Sequence, residues 1–180
     1  MARALIVAGG CRGRWLAGVL RERGHSARVT TRARARVDEI EAVGAEAVLA
    51  DPDVIGSLRG ALEHVTLVAW LLGTARGSPA AVSALHAERL EMMLRTTIDT
   101  TVRGFLYEAA GRVPAEVLAA GARRVREAGA VTGLPWAIVD ADPGDRAAWR
   151  SGALAAVAGL LGEGRPALPG SYAPPKSQKS

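Results

Sequence analysis

Lysine is nearly missing from this chain: of 23 basic residues among 180, only Lys176 and Lys179 are lysines, and both stand in the C-terminal tail. Any proton donor that depends on a neighbouring ammonium to lower its pKa is therefore excluded from the folded body. Cysteine occurs once, as Cys11, which excludes a disulfide framework and a multi-cysteine metal site and fits a reducing compartment, with the cytoplasm as the default. No metal is expected. The apolar stretch before Cys11 is too short for an export signal, and no later run is long enough to span a bilayer, so no membrane partner is expected. Aromatic residues are only 4% of the chain. The net charge of +5 is spread over many arginines with no aromatics interleaved, which argues against nucleic acid as the partner and for a solvated surface with a local phosphate site.

What is present is a strong beginning. Ala4-Leu-Ile-Val-Ala-Gly-Gly-Cys-Arg-Gly-Arg-Trp-Leu16 is an apolar run that breaks into a glycine-rich turn, the order of a buried strand, a tight turn and a helix starting near Arg14. Gly9, Gly10 and Gly13 are expected to supply positive φ and close approach to a ligand, with Cys11, Arg12 and Arg14 around them. Leu16, Val19 and Leu20 form an apolar stripe, Gly24 ends the helix, and Ala27 to Thr31 supplies a second strand. This βαβ order is of dinucleotide-binding type.

The remainder alternates in the same way. A short helix over Val37 to Val43 follows the exposed run Arg32-Ala-Arg-Ala-Arg36, and Glu46 to Ala50 is a third strand ending at Asp51-Pro52. Helices are predicted over Val54 to Leu62, Ala80 to Thr97, Pro114 to Ala128 and Arg146 to Leu161, with Met92 and Met93 as core filler. Strands are predicted over Val65 to Leu72, Gly104 to Glu108 and Leu134 to Val139; the first of these is continuously apolar, as a central parallel strand requires. The fold class is thus α/β, a doubly wound parallel sheet of Rossmann type, in a single domain over residues 1–162 with a flexible Pro/Ser/Lys tail over 163–180.

The second strand ends Thr30-Thr31-Arg32, where an acidic residue would favour the ribose hydroxyl of NAD. A cation and hydroxyls suit a 2′-phosphate, so NADP is expected over NAD, resting on Arg32 with Arg12 on the same side of the crevice.

The chain resembles the atypical and extended short-chain dehydrogenases/reductases, the NmrA-like and epimerase-like nucleotide-binding proteins. The resemblance covers most of residues 3–145 and rests on the glycine turn, on Ala50-Asp-Pro-Asp-Val-Ile-Gly-Ser-Leu-Arg-Gly-Ala-Leu62 and on Gly133-Leu-Pro-Trp-Ala-Ile-Val139. It implies an adenine contact for Asp51, for which a helix cap is the alternative reading, and a cofactor-lining loop over Gly73 to Arg76 that includes Thr74. Departures are large. Aligning Gly9 or Gly10 with Gly13 as the family's first two glycines puts the third on Trp15 or Leu16, which would hold the helix off the strand or narrow the pyrophosphate site. The family's reductases use a serine near the end of the fifth strand and a tyrosine followed four residues later by lysine; here that strand ends Tyr107-Glu-Ala-Ala110 and the lysine is missing.

Substitute acids are Tyr107, Glu108 and Asp140, with Asp142 beside the last; His64 and His86 are assigned structural or solvent-facing roles, and Cys11 fills the turn. The expected function is a regulatory or non-classical NADP(H) binder. The alternatives are a divergent NADPH-dependent oxidoreductase or epimerase acting on a small carbonyl or sugar nucleotide, and a domain that has lost its cofactor. Because the last helix runs straight into the tail, an open crevice is expected unless a second subunit covers it. Apolar faces on the Ala80–Thr97 and Pro114–Ala128 helices would serve such a homo-oligomer.

Overall fold

A computed structural model describes residues 1–163; the tail predicted from 163 onward lies, but for its first residue, outside the described residues. Six parallel strands form one sheet in the order β3-β2-β1-β4-β5-β6. They are β1 Arg3–Val7, β2 Ser26–Thr31, β3 Glu46–Leu49, β4 Leu67–Trp70, β5 Gly104–Glu108 and β6 Trp136–Val139. The helices are α1 Cys11–Glu22, α2 Val37–Glu41, α3 Pro79–His86, α4 Glu88–Thr97, α5 Ala115–Thr132 and α6 Arg146–Leu161. Strand order reverses direction at β1, between β2 and β4. A doubly wound sheet opens a crevice at that point, at the carboxyl ends of the strands.

The sheet carries a core on each face. One packs Leu5, Val7, Val68, Trp70, Phe105 and Tyr107 against α4 and α5 and the short helical turns Ile55–Leu58 and Gly60–Leu62. The other packs Ile6, Val29, Ala69 and Leu106 against α1 and α6 through Leu16, Leu20, Trp149, Ala153 and Val157. Alternate residues of β1, β4 and β5 go to opposite faces, so their runs are apolar throughout. This matches the continuous Val65–Leu72 pattern.

Two predicted helices are not single helices. The helix expected over Val54 to Leu62 is two 3₁₀ turns, because Gly56 and Gly60 interrupt it and only Ile55, Leu58, Ala61 and Leu62 reach the core. The helix expected over Ala80 to Thr97 is two helices, broken at Ala87 (φ −117°, ψ −103°). The break lets α3 close beneath the cleft while α4 lays Leu90, Met93 and Leu94 on the sheet. Met93 is core filler as expected, whereas Met92 is exposed. Nor are the outer helices apolar on their outer faces. α4 and α5 turn their large apolar residues into their own core, leaving Met92, Ile98 and Val131 as the large exposed ones nearby.

His86 is buried and structural: its Nδ1 lies 2.7 Å from the Tyr107 hydroxyl and its Nε2 3.3 Å from the Leu72 carbonyl. Burial lowers its pKa from 6.5 to about 4 despite the Leu72 hydrogen bond. The folded state thus holds His86 neutral where the unfolded chain has already taken up a proton. Stability that is intact above pH 6.5 is lost as pH falls toward 4, by roughly 3 kcal/mol for this group. Urea denaturation at pH 7 and 4.5 should show most of that loss in the wild type and a smaller pH dependence in His86→Gln.

Candidate functional site

A cleft of about 530 Å³ opens at the carboxyl ends of β1, β2 and β4. Its floor is the β1–α1 turn, Ala8 to Gly13; one wall is Thr30 to Ala33 with Arg36, Pro52 and Asp53; the other is Leu71, Leu72, Thr74 to Gly77 and the first turns of α3. α1 begins at Cys11, three residues earlier than the sequence suggests, with Gly10 as its N-cap (φ −74°, ψ 179°). It has neither a side-chain cap nor an acidic residue in its first turn. The amides of Cys11, Arg12 and Gly13 therefore have no intrahelical partner at the cleft floor, the arrangement that takes up phosphate.

None of the three turn glycines uses positive φ, contrary to expectation. What two of them supply is space. A Cβ on Gly13 would lie 2.0 Å from the Ala8 carbonyl oxygen and 3.2 Å from Ile6 on β1, so Gly13 is the residue that lets α1 pack closely on its strand. That is the task of the third glycine in a dinucleotide fingerprint. The frame that put this task on Trp15 or Leu16 is thus displaced: Leu16 fills the core and Trp15 packs edge-on against Trp149, with ring centroids 5.9 Å apart. Gly9 passes close to Thr30, its Cβ position 2.8 Å from that carbonyl. A Cβ on Gly10 would meet nothing, since it faces open cleft.

Arg12 does not reach toward Arg32. Its guanidinium turns across the turn to Glu108 at the end of β5, with Nε 2.8 Å from Oε1 and a terminal nitrogen 3.2 Å from Oε2. The second contact of that nitrogen is the Thr74 hydroxyl at 2.8 Å, and the guanidinium lies 5.5 Å from the Trp149 ring centre. Glu108 is fully buried, and its carboxylate also accepts from the Gly73 amide (2.8 Å) and the Trp149 indole (2.9 Å). One carboxylate thus ties the ends of β4 and β5 to the first turns of α1 and α6. Both of its oxygens are engaged in that clamp.

The other candidates also have different work. Tyr107 is buried on the opposite face of the sheet, where burial raises its pKa and its hydroxyl lies 2.7 Å from His86 Nδ1 and 3.4 Å from the Leu118 carbonyl oxygen. Asp140 is exposed beyond β6 and does not line the cleft. Asp51 closes a local turn, accepting from the Asp53 amide through Oδ1 at 3.0 Å, and it is Pro52 and Asp53 that line the cleft. Arg14 props the turn from behind by donating to the Gly9 carbonyl (2.7 Å) and pairing with Glu39 (2.9 Å). Gly73 is excluded from the cleft surface and stacked on the β5 loop, a Cβ there falling 2.2 Å from the Ala110 carbonyl oxygen.

Of the eleven predicted binding residues, Gly9, Gly10, Cys11, Arg12, Gly13, Thr31, Arg32 and Thr74 come together on the cleft wall. Arg76, the end of the predicted cofactor-lining loop, joins them, and so does Arg36, which no reading placed there. Arg36 had a signal in the Arg32–Arg36 run, whose 3₁₀ turn over Arg34–Arg36 folds it back toward the cleft. Among the described residues Arg32, Arg36 and Arg76 pair with no carboxylate, and Asp53 is the one acidic residue in the lining. The cleft is cationic.

Solved structures share this fold. Vestitone reductase from alfalfa superposes with a TM-score of 0.63 at 18% identity, over 78% of this chain and 56% of that one. UDP-glucose 4-epimerase from Thermotoga maritima gives 0.65 at 14% identity, over 77% and 54%. UDP-glucuronic acid 4-epimerase from Bacillus cereus, solved with NAD, gives 0.62 at 12% identity, over 77% and 56%. The chain spans just over half the length of these proteins. No protein-family model matches the sequence, and no curated protein matches it. The shared fold is the doubly wound parallel sheet of Rossmann type. Among the described residues no helix is long and apolar enough to cross a membrane.

Proposed function

We propose that residues 1–162 form a dinucleotide-binding domain that takes NADP(H) in the cleft and works in the cytoplasm as a regulatory or non-classical binder. The observation that carries this reading is the uncapped start of α1 facing a cleft with three carboxylate-free guanidiniums. The amides of Cys11 and Arg12 would hold the pyrophosphate, with Gly10 giving it room. Arg32 at the end of β2, with Arg36 one turn on, would hold the 2′-phosphate in its planar forks. Thr31 shapes that corner: its hydroxyl accepts from the Ala33 amide at 3.2 Å. When bound, the nicotinamide supplies hydride exchange.

Three residues limit the chemistry around it. Glu108 stands at the end of β5 where the family's reductases have their serine region, and it is neutralised by Arg12. α5 carries no tyrosine and no lysine. Tyr107 is on the far side of the sheet. A binder follows from this more directly than a reductase. The second reading, a divergent NADPH-dependent oxidoreductase or epimerase, draws on the shared fold with a reductase and with sugar-nucleotide epimerases.

Arg32→Ala tests the cofactor assignment. The variant should bind NADPH at least tenfold more weakly, a loss of about 1.4 kcal/mol or more, while NADH affinity stays within twofold. Equal affinity of the wild type for both cofactors, or unchanged selectivity in Arg32→Ala, would overturn it. NADPH consumption with a panel of aldehydes, ketones and UDP-sugars would move the reading to the enzyme.

A further inference from the structure

A second concavity, of about 270 Å³, opens between the first turns of α1 and α6. Trp15, Pro143, Arg146, Trp149 and Arg150 line it, and Cys11 and Arg12 belong both to it and to the dinucleotide cleft. Three guanidiniums and no carboxylate face this space. The charge of Arg12 is already balanced by Glu108 behind the wall, but among the described residues Arg146 and Arg150 pair with no acid. They sit four residues apart on α6, where like charges repel, and Arg146 is the first residue of the helix, the end where a cation is disfavoured. Asp145 does not answer them, because its Oδ1 accepts from the Ala147 and Ala148 amides.

The aromatic side of the pocket is fixed. Arg150 lies 4.9 Å from the Trp15 ring centre, Trp15 meets Trp149 edge-on, and Trp149 is locked through its indole N–H to Glu108. Cation–π contact holds the Arg150 fork over a flat apolar surface. Uncompensated arginines beside rigid indoles suit a ligand with an anionic head and a planar apolar body: arginine forks take a carboxylate bidentately, and the body covers Trp15 and Pro143.

We propose that this pocket binds a small organic acid of aromatic-carboxylate type, with its carboxylate on Arg146 and Arg150 and its ring against Trp15. Sharing Arg12 and Cys11 with the cleft places the acid beside the pyrophosphate turn. The assignment is independent of which dinucleotide, if any, the cleft takes.

The four tryptophans provide the test, since each indole N–H gives its own signal in a ¹⁵N-labelled sample of the full chain, assigned with Trp15→Phe, Trp136→Phe and Trp70→Phe. Trp70 is buried with its indole N–H on the Leu85 carbonyl and Trp136 lies against Arg126, so both report from outside the pocket. Benzoate at low salt should shift the Trp15 and Trp149 signals saturably and leave the other two in place. Benzamide should move none of them, and inorganic phosphate should act at least tenfold more weakly than benzoate. Arg146→Gln/Arg150→Gln alters exposed side chains only and should weaken benzoate at least tenfold. Absence of a saturable shift, an equal response to benzamide or phosphate, or undiminished binding in the double variant would overturn the proposal. Arg146 and Arg150 do not line the cleft, so calorimetric titration with NADPH should give the same affinity in both proteins, and failure of one site is told apart from failure of the other.

Discussion

Replacing Arg12 by methionine is expected to cost the fold about 3 kcal/mol or more, and replacing Arg12 and Glu108 together by methionine and leucine is expected to cost less than that single change. Methionine at 12 strips the Glu108 carboxylate of its cation while leaving it fully buried, with only the Gly73 amide and the Trp149 indole as donors. The uncompensated charge is the expensive species. Removing both partners abolishes it, although the Gly73 and Trp149 N–H groups then go unpaired, which keeps the double variant below the wild type. Urea denaturation of the wild type, both single variants and the double variant gives the coupling directly. A double variant less stable than Arg12→Met would mean that the hydrogen bonds Glu108 accepts from Gly73 and Trp149 outweigh the cost of its uncompensated charge.

The second large effect is at the turn. Gly13→Ala should fail to fold or lose several kcal/mol, because its Cβ would sit 2.0 Å from the Ala8 carbonyl oxygen, a backbone atom that cannot move without parting α1 from β1. Gly10→Ala is the informative partner. Its Cβ meets nothing, its backbone is extended, and the change should cost less than about 1 kcal/mol while obstructing the space above the amides. NADPH affinity in Gly10→Ala should fall at least tenfold at near-normal melting temperature. The two variants separate folding from binding within a single turn. A Gly10→Ala protein that binds normally would place the pyrophosphate elsewhere.

The βαβ opening, the strand β5 and the helix α6 could be read directly, because their apolar spacing and end residues point to one answer each. Patterns that depend on distant partners could not. Glycines 56 and 60 and the break at Ala87 leave the apolar period intact, so the sequence shows a helix where the sheet accepts only short turns or two separate segments. Which glycine packs α1 on its strand depends on where the helix starts, and the onset at Cys11 rather than Arg14 moves that task from Trp15 or Leu16 to Gly13. The site was legible in composition and less so in partnership. Eight predicted residues share the cleft, but the Arg12–Glu108 pair joins positions 96 apart in sequence, and no local spacing announces it. That pairing bears on two readings at once: it holds Arg12 away from Arg32, and it engages both Glu108 oxygens.

Calorimetric titration of the full chain with NADPH, NADP and NADH at modest salt, where phosphate contacts are not screened away, tests the central claim most directly. Saturable binding of NADPH and NADP, with NADH at least tenfold weaker, is the expected result. No heat and no saturation with any of the three would contradict it, and would mean that the cationic cleft at the start of α1 serves a different anion.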